Sequence, residues 1–141
     1  MKHCAISCYL NAIAAVAGAA GILLTVLSST ATADNALSGL GLTVAAGAAA
    51  VALVLLAIWM PTRKGNHDPI SAVSVVAAIA LFTYVFGQVV SQRIMLIAGL
   101  FSFNAGNTAG WGVFRLVVAA SVCLLAANLL LVVGSFNRSV K

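Results

Sequence analysis

The chain has 141 residues, 63% of them hydrophobic and 6% charged, with a formal net charge of +5. A water-soluble domain carries about 25% charged residues, so lipid must supply most of the solvent around this one. The basic balance does not point to nucleic acid: the seven Lys and Arg form no stripe and sit at the ends of apolar runs, where they orient a chain in a bilayer and meet anionic headgroups.

The first apolar run covers 7–28, with YLNAIAAVAGAAGILLTVL at its heart. SSTATADNALSG follows, and its Ser, Asp, Asn and Gly content predicts a loop. The second run covers 40–60 and stops at Pro61. PTRKGNHDP, the most polar segment, closes on Pro69, and both prolines suit helix boundaries because proline lacks the N–H that an interior position donates. The third run covers 70–90, and the fourth covers 113–134 before SFNRSVK. At about 1.5 Å per residue each run can cross about 30 Å of hydrocarbon. Continuous helices satisfy their own backbone groups in lipid, whereas the runs are too few and lack the alternation of a barrel. The expectation is an all-α membrane protein: one transmembrane domain over 1–141, a multi-pass four-helix bundle.

With the N-terminus inside, Lys2, Arg63, Lys64, Arg138 and Lys141 are cytoplasmic, while Arg93 and Arg115 flank the second external loop. That asymmetry predicts a cell-membrane protein with both termini cytoplasmic. A competing reading takes Lys2, the apolar stretch and Ala31-Thr32-Ala33 as a secretory signal with its cleavage site. The stretch is longer than the usual 7–15 residues of such a signal, which favours a retained first helix.

Helix association in lipid depends on close approach through small residues. Helix one offers Ala14 with Gly18, and Ala17 with Gly21. Helix two offers Gly39, Thr43 and Gly47 on one track, and Gly41, Ala45 and Ala49 on the next. Helix four offers Ala119, Cys123 and Ala127. Helices one and two are therefore expected to pack tightly, within one chain or across a dimer. Helix three carries the bulky Phe82, Tyr84 and Phe86, with Tyr84 and Gln88 on one face at i, i+4.

Residues 91–112, SQRIMLIAGLFSFNAGNTAGWG, are too polar at their ends for another span, yet 94–103 is apolar. Either helix three continues past Arg93, or a short interfacial or re-entrant segment lies between helices three and four. NAGNTAGWG reads as a turn-rich link, with Trp111, Phe114 and Arg115 at headgroup level. The C-terminal third, with Arg93, Phe101-Ser102-Phe103-Asn104, Gly110-Trp111-x-x-Phe114 and Gly134-Ser135-Phe136, resembles small multi-span proteins of gut-associated Gram-positive bacteria. It is also similar to membrane-embedded ends of some family-3 glycoside hydrolases. Their catalytic domain is absent here, so the resemblance implies at most a membrane module that accompanies another protein.

The four runs hold no ionisable group in their interiors, and Asp34 and Asp68 fall in loops, which argues against proton-coupled antiport. Asn11 and Asn128 are candidates for hydrogen bonds between helices, worth about 0.6–2 kcal/mol. Cys4, Cys8 and Cys123 make no metal site and read as unmodified thiols. His67 beside Asp68 reads as a solvated pair without a nucleophile. No cofactor is expected. The leading functional expectation is a non-enzymatic accessory or scaffold subunit that associates with itself or with another membrane protein. The alternative is an oligomeric channel or carrier for a neutral or weakly polar solute, with Tyr84, Gln88, Asn104 and Asn107 as contacts and Arg93 or Arg115 setting ion preference.

Overall fold

The computed structural model describes residues 6–64 and 68–137, with the backbone alone for 61–64. Lys2, His3, Cys4, His67, Arg138, Lys141 and the side chains of Arg63 and Lys64 therefore lie outside the described residues. Helices α1 (Ile6–Thr30), α2 (Leu40–Lys64), α3 (Pro69–Ser91), α4 (Ile94–Ser102) and α5 (Thr108–Ser135) follow in order, with a 3-10 turn at Ala33–Asn35. Four segments are long and apolar enough to cross a membrane: α1, α2 as far as Met60, α3 joined to α4, and α5. The joined segment has 34 residues, about 50 Å of helix against about 30 Å of hydrocarbon. It bends at Gln92–Arg93, so that α4 turns into an interfacial segment.

α1 packs on α2 and α5, and α3 packs on the same two helices, so the ring order is α1, α2, α3, α5. Small residues of α1 set the spacing. Ala14, Gly18 and Gly21 are buried, and a Cβ at Gly18 would lie 2.3 Å from Cζ of Phe82, which crosses the bundle from α3. A Cβ at Gly21 would meet Leu124 Cγ at 2.8 Å, and one at Gly47 would meet Ile22 Cγ1 at 2.6 Å. Phe82, Val54, Val85, Val113, Leu124 and Leu131 fill the interior. Lipid gives no hydrophobic drive for this association, so van der Waals contact at close backbone approach holds the helices together.

Several boundaries differ from the sequence expectation. α2 does not stop at Pro61 but runs to Lys64. Proline has no N–H to give to the Ala57 carbonyl four residues back; Ser71 of α3 gives that carbonyl its hydroxyl proton instead, at 3.0 Å. α5 begins at Thr108, five residues ahead of the expected start, because the Asn107 side chain accepts from Gly110 N–H at 2.9 Å and caps it. Gly39 precedes α2 and ends its loop at φ 67, the left-handed region that favours glycine. Gly41 has open space around it and packs against nothing within the chain. The inward line of α5 is Ala120, Leu124, Ala127 and Leu131, leaving Ala119 and Cys123 half-buried. Cys8 is disulfide-bonded, so it is not the unmodified thiol expected.

Candidate functional site

Buried polar side chains lie at both ends of the bundle, and at the end that carries the 31–39 and 92–107 connections they are Thr25, Ser28, Ser29, Thr43 and Arg93. The last turns of α1 hold Thr25, Ser28 and Ser29, all buried. Thr25 Oγ1 donates to Gly21 C=O at 2.8 Å and Ser28 Oγ to Thr25 C=O at 2.8 Å, the backward bonds by which hydroxyls settle inside a helix. Ser29 Oγ instead accepts from Leu37 N–H at 2.8 Å, folding the α1–α2 loop over the helix end.

Gln92, at the α3–α4 elbow, fastens the same loop. Its Oε1 accepts from Ser38 N–H at 2.8 Å, and its Nε2 donates to Ser38 C=O at 3.1 Å and to Gln88 Oε1 at 2.9 Å. One carboxamide thus satisfies both backbone groups of Ser38 and holds Gln88 in place. Arg93 turns inward beside it, only 3% exposed. Its Nη2 donates to Ser28 C=O at 3.2 Å, which places a cation on the carbonyl end of α1, where the helix dipole favours it. Nε is buried with no acceptor, and the guanidinium has no carboxylate partner among the described residues. Leaving such a donor unsatisfied costs about 1–3 kcal/mol.

The short α4 lies outside this polar floor. Gly99 and Leu100 face the bundle, while Ile94, Met95, Ala98 and Phe101 are exposed. Phe101, Trp111 and Phe114 form an edge-to-face trio with centroids 5.2–5.7 Å apart. Trp111 Nε1 donates to Ala105 C=O at 2.8 Å and closes the link to α5. An apolar face ending in an aromatic belt is what a segment at the membrane–water boundary requires.

The residues expected to share a pore or partner surface do not form one surface. Tyr84 is 39% exposed on the outside of α3. Gln88 and Arg93 belong to the polar end, and Arg115 is exposed on α5. Asn104 and Asn107 serve the α4–α5 turn, where Asn107 N–H donates to Asn104 C=O at 3.1 Å. Sequence reasoning missed the burial of Arg93 and the clamp by Gln92; the unusual pairing of Gln and Arg between two apolar helical runs was the available signal.

Further polar side chains lie elsewhere. Asn128 Nδ2 donates to Thr83 Oγ1 at 3.3 Å between α5 and α3, so Asn128 does bridge helices. At the opposite end Ser7 Oγ donates to Gly134 C=O at 2.7 Å, with Asn11 buried alongside. Asp68 there is not a solvated loop carboxylate: it is buried, and Oδ1 accepts from Ile70 N–H at 3.2 Å to cap α3, with Pro69 in the first turn. Among the described residues no three His, Cys, Asp or Glu side chains come together in a metal-binding group.

Four apolar helices around a hydrophobic core, with a boundary segment and an aromatic belt, define a multi-pass integral membrane protein. No protein-family model, curated protein or solved structure matches the chain.

Proposed function

We propose that this protein is a non-enzymatic accessory or scaffold subunit of the cell membrane, acting by helix packing against a second copy or another membrane protein. The observation that carries this reading is the outer face of α2. Gly41, Ala45, Ala48, Ala52, Leu55 and Trp59 are all exposed there, in alternating steps of four and three residues. That is the spacing of a left-handed helix–helix seam, and its first four positions are small enough for close backbone approach. The outward line of α1 is bulky by comparison, with Tyr9, Ile13, Val16, Leu23 and Leu27 exposed, as suits lipid chains. Because side chains fill the bundle, a conduit for solute has to run between copies rather than through one.

The test is purification in mild detergent, with mass analysis of every co-eluting chain. The reading predicts a stable assembly with itself or a defined partner, and no solute flux after reconstitution in liposomes. A lone monomer, or a homo-oligomer that passes a neutral solute, contradicts it.

A further inference from the structure

We propose that the α3–α4 elbow is a hinge that straightens as the bilayer thickens, and that the Arg93 guanidinium on the Ser28 carbonyl is the latch that keeps it bent. Only Gln92 and Arg93 separate the two helices. Both hold right-handed backbone, at φ −75, ψ −9 and at φ −106, ψ −2. A continuous helix asks for changes of about 30–40° in each ψ and about 40° in the Arg93 φ, with no passage through a forbidden region. Straightening lets the N–H groups of Ile94, Met95 and Leu96 bond to the carbonyls of Val90, Ser91 and Gln92. In the bent form the first bond of α4 is Ile97 N–H to Arg93 C=O at 2.9 Å. Backbone preference alone therefore does not account for the bend.

Side chains hold it instead. Gln92 is bonded to Ser38 and Gln88 and belongs to the fixed side, whereas Arg93 is the next residue and moves with α4. Its buried Nη2 reaches the carbonyl end of α1 at Ser28, where the helix dipole favours a cation. The latch is lightly set, because Nε is buried without an acceptor, a cost that release to water and headgroups removes. α4 packs on α5 with Leu100 against Gly110, and exchanging that contact for lipid costs no hydrophobic free energy. The 103–107 link reaches about 17 Å when extended, enough to follow the end of a straightened α4. Bilayer thickness supplies the bias. α3 has 23 residues, about 35 Å of helix, which matches ordinary hydrocarbon. A thicker bilayer leaves it short, and the apolar residues that lengthen it are those of α4, beginning at Ile94 and Met95. The inference stands independently of the association proposed for α2.

The experiment follows hydrogen exchange at single amides of the full chain in nanodiscs of dimyristoleoyl phosphatidylcholine, a thin bilayer, and of dierucoyl phosphatidylcholine, a thick one. In wild-type protein the Met95 and Leu96 amides should exchange about fivefold more slowly, or slower still, in the thick bilayer, the protection that one backbone hydrogen bond confers. Arg93→Met keeps the length of the side chain and removes every donor, so its amides should exchange slowly in both bilayers. Arg115→Gln, at an exposed position of α5, should behave as wild type. Equal exchange of the wild-type amides in the two bilayers overturns the hinge, a result independent of how any variant folds. Deeper immersion of a bent α4 would also slow wild-type exchange, but it would leave Arg93→Met as dependent on thickness as wild type. That outcome overturns the latch, and so does fast exchange of Arg93→Met in both bilayers or loss of the dependence in Arg115→Gln.

Discussion

A single hydrogen atom at position 18 decides whether α1 and α3 can approach across the bundle. Any Cβ there enters the ring of Phe82, which is itself fully buried and has nowhere to retreat. Gly18→Val should therefore destabilise the bundle by about 1–3 kcal/mol, measured by detergent titration followed by circular dichroism. Adding Phe82→Leu should recover part of that loss. Gly41→Val, on the open face of α2, should leave the stability of the isolated chain unchanged. Ser71 supports a second prediction at this scale. In wild-type protein its hydroxyl is bonded to the carbonyl that Pro61 leaves free, so Ser71→Ala should cost about 1 kcal/mol. In a Pro61→Ala background the new N–H can take that carbonyl, and the same substitution should cost measurably less. Equal costs in both backgrounds would show that Ser71 does not compensate for the proline.

At the scale of elements, the spans were legible because hydropathy and length are local properties that the bilayer enforces. The α1 and α3 limits agree with the sequence reading to within about two residues, the ordinary latitude of helix ends. Pro61 and the glycines around Trp111 misled for a common reason: each local breaker is answered by a polar group that the sequence does not advertise. Ser71 answers the proline across a helix interface, and Asn107 answers Gly110 with a cap. Arg93 was read as a loop cation because its acceptor, Ser28, lies 65 positions away in sequence. Gln92 depends on a partner almost as distant, Ser38. Gln92→Ala should therefore release the 31–39 loop: hydrogen exchange at the Ser38 amide should quicken, while exchange in the middle of α2 stays slow. Unchanged exchange at Ser38 would mean that Ser29 alone holds the loop. For α4, a cysteine at Met95 in a Cys123→Ser background should be protected by lipid from a charged maleimide, and one at Gly106 should react. Equal reactivity would remove α4 from the membrane boundary.

On the scale of the whole molecule, the bundle combines a closed interior with an outer surface of two characters. Bulky apolar residues cover α1 and most of α5, whereas α2 presents a seam of small ones. The small-residue tracks in the sequence held both kinds together. Gly18, Gly21 and Gly47 serve the internal packing, and Gly41 with its alanine neighbours is left outside. Periodicity alone could not divide them, since both lie one helical step apart on the same chain. Orientation is tested separately: labelling of a cysteine at position 66 from the cytoplasmic side only agrees with both termini inside, and labelling from outside reverses the topology.

The seam on α2 is the feature on which the proposed role depends, and a photo-crosslinking residue placed at Ala48 in native membranes tests it directly. The account predicts a protein adduct of defined mass from Ala48, its partner identified by mass spectrometry, and only lipid adducts from the same residue placed at Ala12 on α1. Lipid adducts alone from Ala48 would contradict it.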